Sequence, residues 1–405
     1  MNLRIIFKFL STSAVIQAFN LLLSFAVIKW LSLTELGRYN IGKSIAGTFQ
    51  YANLGYRYGL DRRLPESTND ELNSLRLSIC IYINTGVSCL ILLFITLRYG
   101  FNWFYIIYGS GGAFISGFTL IRVYFRGTDK LNYFISSSFY GGIIPIAFPI
   151  LGLILFGLTG LAVSFFIVSL MVFIFYLQKI KLKPIKEVWL QKQYSLIFFK
   201  VGSIIYLTNF FQFLANNFDR FFIEAFSGLA TVGEYGIIIL VFSLSIIVPG
   251  SVVEMFFPQY IKDKRNKKAI MANVKKHIKM NLLLILPFIC LAYVLLPYVV
   301  PLIFEKYSYL VEPMQITLIA LIPYIFLGPI YCLLFAFDRH KQILLSNVIA
   351  SILYFTLLYI ALSNNSQIIT LVYLKISYTF SYLLVMGIFL FLTLLKNKAI
   401  FNNGI

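Results

Sequence analysis

The decapeptide LATVGEYGII (Leu229–Ile238) interrupts a long apolar stretch, and its Glu234 is the only acid between Glu224 and Glu254. It has an echo in LTELGRYNI (Leu33–Ile41). Upstream of each copy the likeness continues: Phe7–Ser11, FKFLS, resembles Phe199–Ser203, FKVGS, at an offset of 192 residues. The same offset carries Gln17 onto Asn209, Asn20 onto Gln212 and Ser24 onto Asn216. Within each copy these polar residues are three or four apart, so each set is a stripe on one helical face. A gap of four residues raises the offset to 196, and Gly37-Arg38-Tyr39 then falls on Gly233-Glu234-Tyr235. One helix and the start of the next therefore recur in register, the mark of a duplicated scaffold. The expectation is that each Gly-x-Tyr forms an outer turn, with Gly for tightness and Tyr as an interfacial anchor, and that Glu234 is a solvated loop charge.

Composition settles what kind of scaffold this is. Of 405 residues, 60% are hydrophobic and 12% charged, about half the charge that coats a soluble domain. Apolar runs of about 20 residues recur along the chain, long enough to cross a bilayer as helices. They are continuous, which excludes the alternating pattern of a membrane barrel. The N-terminal run is too long for a signal peptide and reads as the first span. The fold class is an all-α polytopic membrane protein of about twelve transmembrane helices, near 9–30, 38–59, 76–97, 103–125, 133–156, 158–178, 195–217, 233–257, 280–304, 314–337, 342–362 and 367–395.

The connections sort by charge. Lys and Arg crowd alternate loops, including QKIKLKPIKEVWLQK and KDKRNKKAIMANVKKHIK, together with the ends at Arg4, Lys8, Lys396 and Lys398. The other side receives little beyond Lys29, Arg38, Arg98, Arg220 and Lys306. Positive loops stay inside, so both termini are cytoplasmic. The net charge of +19 follows from those loops and does not point to nucleic acid. Because the repeat begins at spans 1 and 7, the copies enter the membrane in the same direction and form a parallel repeat. The expected organisation is two parallel-repeat six-helix bundles, 1–178 and 195–405, joined by a basic cytoplasmic linker, 179–194. No connection is long enough for a soluble domain with its own core, which favours transport by one bundle rocking against the other.

Charges inside the spans point to cargo. Lys43, Gln50 and Arg57, seven apart, are expected on one face of the second span. Arg122 and Arg126 end the fourth span, and Lys200 and Lys375 lie within apolar runs. Cations outnumber acids, so the implied cavity is electropositive and suits an anion, with Arg able to grip phosphate in bidentate fashion. For Arg57, Arg122, Arg126 and Lys200, snorkelling to the cytoplasmic interface is the competing reading. Gln17, Asn20, Gln50, Asn53, Asn209, Gln212 and Asn216 add amides suited to sugar hydroxyls. Pro145 and Pro149 are expected to kink the fifth span, and Pro323 and Pro329 the tenth. Cys80, Cys89, Cys290 and Cys332 lack ligand spacing. His277 and His340 fall in Lys-rich loops and receive no role. No catalytic, metal or cofactor constellation is present in the sequence.

The stretch NNFDRFFIEAFSGLATVGEYGIIIL (Asn216–Leu240) resembles the start of the second half of bacterial polysaccharide flippases, in which an Asp-Arg precedes a short outer loop and a Gly-x-Tyr. Asp219-Arg220 and Gly233-Glu234-Tyr235 fit that pattern, and Gly37-Arg38-Tyr39 fits its first-half counterpart. Length and span number extend the resemblance over the whole chain. It implies a Wzx-type O-antigen repeat-unit flippase of the multidrug/oligosaccharidyl-lipid/polysaccharide exporter superfamily. Such a protein sits in the bacterial inner membrane and moves undecaprenyl-pyrophosphate-linked oligosaccharide repeat units to the outer leaflet for O-antigen or capsule synthesis. It would work by alternating access, coupled to an ion or proton, beside membrane lipids, a polysaccharide polymerase and a chain-length regulator. Asp219, Glu224, Glu234 and Glu254 are then the acids available for coupling, Asp219 and Glu254 foremost. Asp219-Arg220 also reads as a structural pair.

Three other functions compete. A multidrug or cation antiporter of the same superfamily should place acids in its cavity. A peptidoglycan-precursor flippase carries spans beyond twelve. A membrane polysaccharide polymerase needs a sizeable outer loop with catalytic groups, whereas the longest outer connection expected here is Phe218–Val232. The protein is therefore read as a transporter, not an enzyme.

Overall fold

A computed structural model describes residues 3–65, 69–190, 192–264, 266–364 and 366–396, and these form helices and short connections without a strand. The chain divides into two compact units, Met1–Leu207 and Thr208–Ile405. The first holds α1 (Leu3–Trp30), α2 (Leu33–Thr48), α3 (Tyr56–Arg63), α4 (Asp70–Tyr99), α5 (Trp103–Gly127), α6 (Leu131–Leu177), α7 (Ile185–Leu190) and most of α8 (Lys192–Asn217). The second holds the end of α8, then α9 (Asp219–Ser245), α10 (Ile247–Lys262), α11 (Lys267–Ile303), α12 (Val311–Thr317), α13 (Tyr324–Ala336), α14 (His340–Ser363) and α15 (Ile368–Lys396).

Two of these helices reverse direction inside their length. In α6 the chain leaves helical geometry at Phe156 and Gly157, with Gly157 at φ +61°. The backbones of Gly152 and Gly160 touch, although eight residues of straight helix would hold them about 12 Å apart. In α9 the break is Gly228, at φ +82°, and Asp219 and Tyr235 on either side of it are hydrogen-bonded. Glycine suits both turns because it has no Cβ to clash in the left-handed region. With α6 counted as two passes, α8 and α9 up to Gly228 as one, the rest of α9 with α10 as the next, and α2–α3 and α12–α13 each as one broken span, the described helices trace about twelve passes.

The opening motif is thereby relocated. The turn before α2 is Leu31–Ser32, where Ser32 and Glu35 form a reciprocal capping box. Gly37-Arg38-Tyr39 lies inside α2, and Gly233-Glu234-Tyr235 lies inside α9, past the turn at Gly228. Tyr39 and Tyr235 are both buried, so they anchor the bundle cores and not the membrane surface.

The second span of each unit is broken at a matching place. In unit 1 a 3-10 turn, Phe49–Tyr51, leads to left-handed Leu54 and Gly55 before α3 begins. Asn53 fixes the break: its side chain donates to the Gln50 carbonyl (2.6 Å) and accepts from the Gly55 N–H (3.2 Å). In unit 2 the break is at Ile246, which the offset of 196 places opposite Gln50. Pro249, three residues on, cannot donate back to the Ser245 carbonyl.

Each unit packs its own core. In unit 1, Leu60, Leu77, Phe118, Ile121 and Phe125 interlock with Val172 and Tyr176. The basic segment after α6 is fastened to α4: Tyr82 Oη donates to the Lys183 carbonyl (3.0 Å), the Lys183 N–H to Ser78 Oγ (2.9 Å), and Ser74 Oγ to the Lys181 carbonyl. In unit 2, α14 and α15 pair along their length, while α10 packs between α11 and α13. Pro329 inside α13 leaves the Ile325 carbonyl without its helical donor. Fully buried Asn281, on α11, donates to that carbonyl at 3.0 Å. Backbone freed by proline inside a membrane needs such a partner.

Candidate functional site

Unit 2 carries a buried ion pair at the joint between α8 and α9. Asp219 opens α9, and its side chain and that of Lys375, on α15, are both 1% exposed, with Lys375 Nζ 3.2 Å from Asp219 Oδ2. The same carboxylate oxygen accepts from Tyr235 Oη (2.8 Å) and Tyr354 Oη (3.1 Å), while Oδ1 accepts from the Arg220 N–H (2.9 Å). Lys375 also donates to the Ala215 carbonyl at 2.6 Å and lies 5.1 Å and 5.5 Å from the ring centres of Tyr354 and Tyr378. The geometry follows from helix ends: a cation caps the last carbonyls of α8, and an anion sits on the first N–H groups of α9. The pair thus closes a helix break and ties α8, α9, α14 and α15 together.

Unit 2 also carries a partly open cavity of about 290 Å³. Asn209 and Gln212 reach it from α8, Glu254 from α10, Tyr324, Gly328 and Tyr331 from α13, Asn347 from α14, and Tyr382 and Met386 from α15. Glu254 is the one charged lining residue; it is exposed, and among the described residues it has no hydrogen bond or ion pair. Asn347 is fully buried, and its Oδ1 likewise has no hydrogen-bond partner among the described residues. Behind the wall, a Cβ added to Gly328 would stand 3.1 Å from His277 Nε2.

Unit 1 gathers cations where α3 and α5 meet. Arg122 lies within electrostatic reach of Arg57 and Arg126 and donates from Nη2 to Ser138 Oγ at 3.1 Å. Arg126 is ion-paired with Asp61. Arg57 Nε and Arg122 Nε are buried without a hydrogen-bond partner among the described residues. Arg57 and Arg122 thus lie within electrostatic reach of each other, and the acid Asp61 is engaged by Arg126.

The sequence-selected residues sort accordingly. Asn209, Gln212 and Glu254 come together in one cavity, and Arg57, Arg122 and Arg126 form one cluster. Lys43 and Gln50 are exposed, on α2 and on the 3-10 turn after it. The break at Leu54–Gly55 takes Arg57 off their helix, so the spacing of seven does not make one continuous face. Gln17 and Asn20 are exposed on α1, and Asn216 is half-buried on α8 outside the cavity lining. Lys375 is not part of this cavity's lining; it is paired with Asp219. Among the described residues, the lining of this unit 2 cavity contains no Lys or Arg, unlike the electropositive cavity expected from the sequence. The side chains of Lys200 and Lys396, and all of Lys398, lie outside the described residues.

Two further expectations are corrected. His277 is not in a loop: it is fully buried on α11, stacked on Phe256 with ring centres 4.8 Å apart and Tyr260 Oη 3.5 Å from Nδ1. Arg220 is not an outer-loop cation but a buried residue of α9. The tyrosines of the cavity, Asn347 and the Asn281 cap were not singled out from sequence. Polar Asn in apolar helices near Pro329 was the available signal.

Three comparisons place this architecture. A family model described as polysaccharide biosynthesis protein matches residues 125–311. No curated protein matches the chain in sequence. Among solved structures, an inward-facing multidrug-resistance MATE transporter of the MOP superfamily aligns with TM-score 0.66 at 11% identity, covering 96% of each chain. The lipid II flippase MurJ, in an inward closed conformation, aligns with TM-score 0.66 at 17% identity, covering 96% of this chain and 87% of that one. A MOP-superfamily transporter from Pyrococcus furiosus aligns with TM-score 0.63 at 12% identity, covering 98% and 96%. The chain has the fold of MOP-superfamily transporters, and the sequence resemblance to that superfamily's polysaccharide flippases agrees with both the family match and the fold.

Proposed function

We propose that this protein carries polyprenyl-pyrophosphate-linked oligosaccharide repeat units from the cytoplasmic to the outer leaflet of a bacterial inner membrane, for O-antigen or capsule synthesis. The observation that carries this reading is the cluster of Arg57, Arg122 and Arg126 in unit 1, with the Nε atoms of Arg57 and Arg122 buried and unpartnered among the described residues. Fixed guanidinium forks suit a pyrophosphate, which presents several oxygens to parallel donors. They lie at the Lys- and Arg-rich end of the bundle, where the cargo is made. Asn209 and Gln212 supply amides for the glycan, and the polyprenyl chain stays in lipid.

Coupling to an ion or proton is part of the proposal, and Glu254 is its carboxylate. Asp219 suits that task poorly, because four donors already hold it as an anion. A cation or drug antiporter is the second reading, favoured by the same Glu254 as the sole charge in the unit 2 cavity. Deletion of the gene separates the two. The flippase reading expects lipid-linked repeat units to accumulate on the cytoplasmic leaflet while surface polysaccharide is lost. Normal surface polysaccharide together with hypersensitivity to cationic drugs would replace it with the antiporter.

A further inference from the structure

We infer that the unit 2 cavity is a one-sugar subsite that accepts a neutral or amino-bearing ring of the cargo and turns away a hexuronic acid; this rests on the flippase reading above. Size limits the occupant first. About 290 Å³ is at the small end of ligand pockets, room for one ring with the rest of a repeat unit lying outside its open side. The lining then limits its chemistry. Tyr324, Tyr331 and Tyr382 offer flat apolar faces with polar tips, and Asn209, Gln212 and Asn347 offer amides. Such a mixture suits an object that is apolar on its faces and hydroxylated around its rim.

The polar atoms left over decide the sign. Glu254 has no hydrogen bond or ion pair among the described residues, and Asn347 Oδ1 is buried without a partner among them. Both are acceptors, so the occupant must donate, which hydroxyl and amino groups do. A ring carboxylate would face Glu254 across a small cavity with no lining Lys or Arg to offset it. Like charges so placed repel, and a ring that leaves the buried Asn347 Oδ1 unmet costs free energy. Glu254 thus acts as a filter on the charge of the ring.

Three probes test this with the full-length protein in lipid nanodiscs and native mass spectrometry: polyprenyl pyrophosphate alone, and the same lipid carrying N-acetylglucosamine or glucuronic acid. The N-acetylglucosamine probe should bind roughly tenfold tighter than the bare lipid, and the glucuronic acid probe no tighter than it. Glu254→Gln should raise the glucuronic acid probe toward the N-acetylglucosamine level, and Tyr331→Ala should erase the gain from either sugar. Equal binding of the bare and N-acetylglucosamine lipids would overturn the subsite while leaving the flippase reading standing. So would wild-type binding of the glucuronic acid probe as tight as that of N-acetylglucosamine. Failure of all three probes to bind would overturn the flippase reading, and the subsite with it.

Discussion

In unit 1, Arg57, Arg122 and Arg126 gather around one acid, Asp61, and two of the three keep a buried nitrogen without a partner among the described residues. In unit 2 the buried cation Lys375 is locked to Asp219, and the charge that faces the cavity is the carboxylate of Glu254. The scaffolds are nevertheless copies: a capped or tight entry turn, a buried Tyr two residues after a Gly, and a second span broken at equivalent positions. On the proposed function, duplication kept what holds the helices together and released what would meet the cargo. A buried charge in a membrane is tolerated when it is paired or faces a site. Unit 2 pairs its buried cation with Asp219, whereas unit 1 pairs Arg126 with Asp61 and leaves the Nε atoms of Arg57 and Arg122 without a partner among the described residues.

The sharpest way to break that comparison is at Lys375. If it is structural, Lys375→Ala leaves Asp219 buried and unpaired, at a cost of about 3–5 kcal/mol. Thermal unfolding of the detergent-purified protein should record the loss. Lys375→Met with Asp219→Leu, which removes both charges, should recover much of it. A stable Lys375→Ala protein that had lost export would return Lys375 to the cargo and erase the contrast between units.

The arginine cluster should behave in the opposite way. Replacing Arg57 and Arg122 together by Ala should cut export by roughly tenfold or more, because bidentate grips on phosphate are lost. Thermal stability should fall by about 2 kcal/mol at most, since Arg122 gives up its hydrogen bond to Ser138 Oγ while neither Nε has a partner to lose among the described residues. Arg126→Ala should weaken export less, because Asp61 already holds that side chain. A large fall in melting temperature with the double substitution would make unit 1's cations structural as well.

How far all this could be read from the sequence depends on how far apart the interacting residues are. Periodicity within one helix is local, so the repeat, the pass count and the cavity-facing Asn209 and Gln212 were legible. Lys375 and Asp219 are 156 residues apart, and no spacing rule links them. His277 looked like a loop residue because Lys275, Lys276 and Lys279 surround it; on a helix those lysines take other faces and leave the imidazole inside. Hydropathy places an outer connection over Phe218–Val232, and the reversal at Gly228 falls inside it. The Gly-x-Tyr repeat draws the turn five residues too late, because a short helical return after Gly228 is as apolar as the span it joins. Asn281 illustrates the same limit. Asn281→Leu should cost about 1–3 kcal/mol by orphaning the Ile325 carbonyl that Pro329 exposes, and unchanged unfolding would mean another donor serves it.

The smallest predicted effect probes the motif that recurs in both units. Tyr39 and Tyr235 occupy matching positions and are both buried, yet only Tyr235 donates to a carboxylate, at 2.8 Å. Tyr39 instead meets Tyr108 edge to face, with ring centres 6.0 Å apart. Removing the hydroxyl alone separates scaffold from chemistry, because phenylalanine keeps the ring and its packing. Tyr235→Phe should cost about 1–2 kcal/mol, since a hydrogen bond to a charged acceptor is among the stronger ones, although Tyr354 still donates to the same oxygen. Tyr39→Phe should cost about 1 kcal/mol or less. Equal losses would mean that the two tyrosines still do the same work and that the ion pair adds nothing to the second copy. A measurable gap, abolished when Asp219 and Lys375 are replaced together, would date the difference between the units to the arrival of that pair.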